Sequence, residues 1–241
     1  MNQPARHPAV LAFDLDGTIV PTTEPGIQKF KNILTKLGFT PPDDDDIRKH
    51  WGKKFREVVT NVIFYLGGNI GHVEEFIRLE HELPDEISFD PNLPEVLDKL
   101  RVKYHLALVT SRSKNSFNKL SLQMNFPPQA IFQFIQTLDD CKHIKPDPRV
   151  FTPLIRWANE KGISRENITY FGDTVGYDWP AAKNSGINFF GVVSGASKAS
   201  EFLAAGVTDL IYQVSGLSDY LVNLEKKKRL STYRYNQIIM N

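Results

Sequence analysis

Acidic, basic and hydroxyl side chains follow several apolar runs of this sequence, at the point where each run stops. Asp14 and Asp16 end the run "VLAFDLD", and Gly17 and Thr18 come directly after them. Residues two apart in an extended chain point the same way, so both carboxylates could face one site. Two close carboxylates repel each other, and Mg²⁺, which prefers oxygen ligands, would relieve that repulsion. The pair alone fits a metal site and a solvated turn equally well.

Further polar residues end two later apolar runs or lie in a loop between them. Thr110 and Ser111 end "HLALVTS"; they could donate to a phosphate oxygen, cap a helix, or do both. Lys145 lies in "HIKPDP" before a predicted helix, and alone it would be interpreted as a surface residue. Asp173 and Asp178 in "YFGDTVGYD" would alone be interpreted as helix caps. Together with the first pair, these residues suit a metal ion beside a phosphoryl group.

The apolar runs themselves predict the strands of a buried parallel sheet. They are nearly continuous rather than alternating, as expected when helices cover both faces of a sheet. Segments with helical spacing separate them, which indicates a doubly wound, Rossmann-like α/β fold. In such folds, ligands bind at the carboxyl ends of the strands. The predicted strands lie within residues 10–16, 105–111, 168–174 and 187–193, with a weaker candidate at 209–214.

The segment from Thr22 to Glu86 interrupts this alternation, because it has helical periodicity and no convincing strand. It is too long for one crossover, so we predict an inserted all-helical subdomain over the end of the first strand. The expected division is an α/β core at residues 8–21 and 87–225, a helical cap at 22–86, and a basic C-terminal tail at 226–241.

Composition limits the functions to consider. The chain has 241 residues and a net charge of +1, which gives no field suited to nucleic acid. Cys141 is the one cysteine, so no internal disulfide can form. No apolar stretch is long enough to span a bilayer, and the N-terminus does not resemble a secretory signal. We therefore expect a cytoplasmic protein without a membrane or nucleic-acid partner, as a monomer or homodimer.

The motifs occur in the order found in the haloacid dehalogenase superfamily of phosphohydrolases, which this sequence resembles. "DLDGT" is similar to the first motif of that family, Thr110 to the second, Lys145 to the third and "GDTVGYD" to the fourth. The helical segment after the first motif resembles the helical C1-type cap of the family. The late stretch "AAKNSGINFFGVVSGASKASEFLAAGVTDLI" is most similar to phosphoglycolate phosphatase and its close relatives.

This resemblance implies a phosphatase acting on a small phosphorylated metabolite. Asp14 would attack phosphorus and form an aspartyl-phosphate, and Asp16 would act as general acid and base. Thr110 and Lys145 would stabilise the transferring oxygens, with Ser111 beside them. Two residues of the cap, Lys53 and Arg56, are candidate substrate contacts.

The resemblance also implies Mg²⁺ as cofactor. The Asp14 side chain, the Asp16 backbone carbonyl and Asp173 would hold it. Asp178 would bind it directly, bind it through water, or orient Lys145. A sugar phosphomutase shares these motifs, and a catalytically silent binding protein is a further alternative. A dehalogenase fits less well, because the Gly-Thr pair that follows Asp16 is the phosphatase form of the first motif.

Overall fold

The computed structural model describes residues 9–50, 55–83 and 87–221. Six strands form one parallel sheet in the order β3-β2-β1-β4-β5-β6. This confirms the predicted doubly wound α/β fold. The strands are β1 (Val10–Phe13), β2 (His105–Val109), β3 (Phe134–Gln136), β4 (Ile168–Gly172), β5 (Asn188–Val192) and β6 (Leu210–Ile211).

Helices connect the strands, and four of those described lie between β1 and β2, before a fifth that leads into β2. The four are α1 (Thr23–Lys36), α2 (Asp44–Arg48), α3 (Phe55–Tyr65) and α4 (Ile70–Glu82). The later helices are α5 (Leu93–Lys103), α6 (Lys114–Ser121), α7 (Pro128–Ile131), α8 (Thr152–Asn159), α9 (Asp178–Ser185) and α10 (Ala199–Ala204).

The sheet separates two hydrophobic cores, because successive side chains of a strand point to opposite faces. Leu11 and Phe13 of β1 pack into the core on one face, and Val10 and Ala12 pack into the core on the other. Every residue of β1 is buried. This coverage on both sides explains why the strands form continuous apolar runs in the sequence.

Helices α1 to α4, which we call the helical unit, enclose a separate core. Ile27 and Phe30 of α1 pack there with Ile63 of α3 and Phe76 of α4. Helices α1, α3 and α4 carry apolar residues three and four apart, and burying that stripe requires a neighbouring helix. None of the helices in the described ranges is both long and apolar enough to cross a bilayer.

Strand β1 is the point where the strand order reverses: β2 and β3 lie on one side of it, and β4, β5 and β6 lie on the other. In doubly wound sheets, such a reversal opens a crevice at the carboxyl ends of the strands. Strand β3 lies outside the predicted runs, since its three residues, of which two are apolar, make too short a run to recognise. It forms because Val109 of β2 pairs with Gln136 and extends the sheet by one strand.

Candidate active site

Three aspartates converge at the crevice beside β1. Asp14 follows β1 directly and Asp173 follows β4, the neighbouring strand. The backbone N–H of Asp14 donates to the Phe171 carbonyl at 2.8 Å, which ties the two strand ends together. Asp178 begins α9, and one oxygen from each of the three carboxylates lies within 4.8 Å of the others. All three residues are buried, and the structure brings their carboxylates together at one place.

Gly17 allows the chain to turn tightly beside this cluster. Its φ angle is +71°, a backbone conformation that residues other than glycine rarely adopt. A Cβ atom at this position would lie 2.0 Å from Oδ2 of Asp173. The glycine of the first motif is therefore required both for the turn and for the close approach of the Asp173 carboxylate.

Lys145 places its ammonium among these acids. Its Nζ lies 2.9 Å from Oδ1 of Asp14, 2.7 Å from Oδ1 of Asp178 and 2.9 Å from the hydroxyl of Tyr170. The Tyr170 hydroxyl in turn donates to the Val109 carbonyl at 3.2 Å. Tyr170 is not among the site residues predicted from the sequence, although a tyrosine within a buried strand generally needs a partner for its hydroxyl.

The contacts of Asp178 favour one of its three predicted roles. Oδ1 accepts from Lys145, and Oδ2 accepts from the backbone N–H of Thr174 at 2.9 Å and from its hydroxyl at 2.6 Å. Both oxygens thus already have protein donors. These contacts favour Asp178 as the residue that orients Lys145.

Burial and mutual repulsion shift the pKa values of the cluster. Burial raises the pKa of Asp14 to about 7, although attraction to Lys145 opposes the shift. Burial also raises the pKa of Asp173 well above its usual range, and repulsion from Asp178 and Asp14 raises it further. For Lys145, burial acts to lower the pKa, but the charges of Asp14 and Asp178 outweigh it and raise it.

The cluster has too little positive charge of its own. The described ion pairs of the three buried carboxylates involve one ammonium, that of Lys145, which contacts Asp14 and Asp178. A divalent cation would compensate the remaining charge, and oxygen ligands of this kind suit Mg²⁺. The residues present therefore fit the metal that the motifs imply, and the side chains of Asp14 and Asp173 could hold it with Asp178 nearby.

Asp16 lies in the same cavity but is held by a different cation. Nη2 of Arg112 donates to Oδ1 of Asp16 at 2.7 Å, and Nε donates to Oδ2 at 2.8 Å. Arg112 is a second residue of the site that is not predicted from the sequence. Its one signal is its position immediately after Thr110 and Ser111 at the end of β2.

The two hydroxyl residues after β2 occupy different positions. Thr110 is buried, and its Oγ1 accepts from the backbone N–H of Arg112 at 3.1 Å. A hydroxyl that accepts one hydrogen bond can still donate its own proton. Ser111 lines the cavity itself. Thr110 thus shapes the loop on which Ser111 and Arg112 reach the site.

A cavity of about 720 Å³ joins the acidic cluster to the helical unit. The sheet domain contributes Asp14, Asp16, Ser111, Arg112, Lys145 and Asp173 to its wall. The helical unit contributes Lys29, Phe30, His50, Phe76, Glu80 and His81. A small substrate bound at the carboxylates would therefore contact both parts of the chain.

The two substrate contacts predicted in the cap have different outcomes. Arg56 lies on α3 and forms an ion pair with Glu74 of α4, and it is not among the residues that line the cavity. The structure thus does not bring Arg56 to the site, because its guanidinium faces the neighbouring helix. Lys53 lies outside the described residues, and its role stays a prediction.

The chain is similar in sequence to known proteins. The chain is 28% identical over 217 residues to pyrophosphatase PpaX of Bacillus velezensis, covering 88% of this chain and 94% of that protein. It is 26% identical over 231 residues to a phosphoglycolate phosphatase of Psychrobacter arcticus, covering 88% of this chain and 95% of that protein.

A solved structure shares the fold. It is described as a predicted phosphoglycolate phosphatase from Haemophilus somnus and has a TM-score of 0.72 at 17% identity, covering 88% of this chain and 97% of that one. The family model for haloacid dehalogenase-like hydrolases matches residues 11–192, which is more than half of the chain. The protein therefore belongs to the haloacid dehalogenase-like hydrolase family.

Proposed function

We propose that this protein is a Mg²⁺-dependent phosphatase that hydrolyses a small phosphomonoester through an aspartyl-phosphate intermediate. The observation that carries the proposal is the buried group of Asp14, Asp173 and Asp178, with Lys145 among them, at the end of a cavity. A carboxylate at a strand end can act as nucleophile, and the excess negative charge provides a place for a cation.

In the first step, an Asp14 oxygen attacks phosphorus, and the bond from phosphorus to the leaving oxygen breaks. Asp16 donates a proton to that oxygen, so the leaving group departs as an alcohol. The position of Asp16 in the same cavity as Asp14 supports this role. Residues two apart after a strand can serve one reaction centre in this way.

In the second step, Asp16 removes a proton from water, and the water oxygen attacks the phosphorus of the aspartyl-phosphate. The bond between Asp14 and phosphorus breaks, which releases inorganic phosphate and restores the Asp14 carboxylate. Splitting the displacement lets one carboxylate group serve as nucleophile and the other as acid and base.

Positive charge and hydrogen-bond donors would stabilise the transferring oxygens. Lys145 is fixed beside Asp14 by its contacts to Asp178 and Tyr170. Thr110 and Ser111 bring hydroxyl groups to the end of β2. When bound by Asp14, the Asp16 carbonyl and Asp173, Mg²⁺ would supply charge neutralisation between nucleophile and phosphate.

The size of the cavity and the names of the relatives support a small anionic metabolite as substrate. A cavity of about 720 Å³ suits a small metabolite. Relatives that cover most of this chain are named phosphoglycolate phosphatase and pyrophosphatase. Both names point to substrates that carry a second anionic group beside the phosphate that is cleaved.

The test is phosphate release from a panel of phosphorylated metabolites, with and without Mg²⁺. Wild-type protein should release phosphate with Mg²⁺ and lose activity in excess chelator. Asp14→Asn should abolish turnover, because an amide cannot attack phosphorus as a carboxylate does. Asp98→Asn is the matched control, since Asp98 lies on α5 in an exposed pair with Arg101.

Other outcomes would point to the alternatives. Accumulation of a bisphosphate without free phosphate would identify a phosphomutase instead. Absence of phosphate release from every ester tested would favour a binding protein. Full activity of Asp14→Asn, or full activity in excess chelator, would contradict the mechanism proposed here.

A further inference from the structure

The guanidinium of Arg112 is presented to the cavity in a fixed orientation. Its Nε and Nη2 contact both oxygens of Asp16, and its Nη1 donates to Oγ of Ser116 at 3.0 Å. The side chain is 22% exposed, and Arg112, Asp16 and Ser116 all line the cavity. A planar guanidinium held in this way matches the two oxygens of any carboxylate or phosphate.

The position of Arg112 does not depend on Asp16 alone. Its backbone N–H donates to Thr110 at the end of β2, and Ser116 belongs to α6. The loop after a central strand and the helix that follows it therefore fix both ends of the residue. The guanidinium would keep its place if the Asp16 side chain turned toward a substrate.

Arg112 also lies on the side of the site where the leaving group must be. Under the function proposed above, on which this inference rests, Asp16 reaches the oxygen of the leaving group. Arg112 contacts the carboxylate of Asp16 directly, so Arg112 lies next to the leaving group that Asp16 reaches. Lys145, by contrast, is buried between Asp14 and Asp178 on the side of the nucleophile.

We propose that Arg112 determines substrate specificity by binding an anionic group, a carboxylate or a second phosphate, on the leaving part of the substrate. In the free enzyme, the Asp16 carboxylate occupies the place of that group. A substrate anion exchanges with Asp16, so the two oxygens of Asp16 lose their contacts to Arg112 and turn to the leaving oxygen. Substrates without a second anion leave the Arg112–Asp16 pair in place.

The test compares substrates that differ in the second anion. Phosphoglycolate carries a carboxylate, pyrophosphate carries a second phosphate, and ethyl phosphate resembles phosphoglycolate in size without the carboxylate. Each is assayed with wild type, Arg112→Met and Arg112→Lys. Arg101→Met is the control, because Arg101 forms a similar pair with Asp98 on the exposed surface of α5.

Arg112→Met should lower kcat/KM for an anionic substrate by roughly 10- to 100-fold more than for ethyl phosphate, with much of the loss in KM. Arg112→Lys should restore part of it, because lysine keeps the charge but not the paired donors. A loss confined to phosphoglycolate or to pyrophosphate supports the proposal and identifies the anion. Thermal unfolding of each variant checks that the fold is intact.

Two results would overturn the inference while leaving the phosphatase function in place. Equal losses on all three substrates would mean that Arg112 only orients Asp16. No loss on any substrate would remove Arg112 from the site. Failure of the phosphatase function itself gives a different result, since wild-type protein would then release no phosphate from any substrate.

Discussion

Removal of the Asp14 charge should stabilise the metal-free protein at high pH. The Asp14 carboxylate is buried beside Asp173 and Asp178, and its pKa in the folded protein is raised from 3.8 to about 7. A raised pKa means that the folded state binds this proton more tightly than the unfolded state does. The free energy of unfolding therefore falls as pH rises from about 4 to about 7, and it levels off above that range.

The size of the effect follows from the shift in pKa. Each pKa unit corresponds to about 1.4 kcal/mol, so the ionised Asp14 destabilises the folded metal-free protein by up to about 4 kcal/mol at high pH. The free energy of unfolding of a typical domain is only about 5–15 kcal/mol, so the effect is large. Asp14→Asn lacks this titration. As the pH rises from about 5 to about 8, its free energy of unfolding should therefore increase by about 2–3 kcal/mol relative to that of wild type.

Urea unfolding in excess chelator, at both pH values, measures this difference. Asp98→Asn provides the control, because its carboxylate is exposed and belongs to a surface pair. Addition of Mg²⁺ at high pH should stabilise wild type more than Asp14→Asn, since the cation compensates the same charge. If metal-free Asp14→Asn is less stable than wild type at about pH 8, the description of a cluster with excess negative charge is wrong.

Two further substitutions test how the site is held together. Tyr170→Phe removes the hydroxyl that accepts a hydrogen bond from Lys145. It should lower kcat by about tenfold and lower the free energy of unfolding in urea by roughly 1 kcal/mol. An unchanged kcat would show that the hydroxyl does not position Lys145. Gly17→Ala should sharply raise the Mg²⁺ concentration required for activity, because its Cβ would displace the Asp173 carboxylate. The control is Gly38→Ala, because Gly38 has a φ angle of +85° but no atom within 4 Å of an added Cβ. This substitution should lower the free energy of unfolding by about 1–2 kcal/mol and leave the Mg²⁺ requirement unchanged.

The convergence of the carboxylates is predictable from the sequence because it depends on local rules. Apolar runs identify β1 and β4, and the carboxyl ends of parallel strands meet at one edge of the sheet. Asp14 and Asp173 each follow such a run directly, so their proximity follows from the topology. Segments with helical spacing separate the apolar runs, and α5 is one of the helices that the structure places between them.

Other features of the site depend on contacts between distant parts of the chain. Arg112 meets Asp16 across 96 positions of sequence, and nothing in the spacing of either residue indicates the pair. Tyr170 belongs to an apolar run, where a tyrosine is indistinguishable from an ordinary core residue until Lys145 is placed. Arg56 is a prediction that failed for the same reason: its guanidinium pairs with Glu74 of another helix, and the sequence around Arg56 does not indicate that partner.

Trapping the covalent intermediate on Asp14 tests the proposed mechanism most directly. Wild-type protein is mixed with Mg²⁺ and a hydrolysed substrate, quenched within one turnover and treated with borohydride, which reduces an aspartyl-phosphate to homoserine. Peptide mass spectrometry should find homoserine at position 14, and Asp14→Asn should give none. Phosphate release by wild type without modification at position 14, or with modification at another residue, would contradict the central claim that Asp14 is the nucleophile.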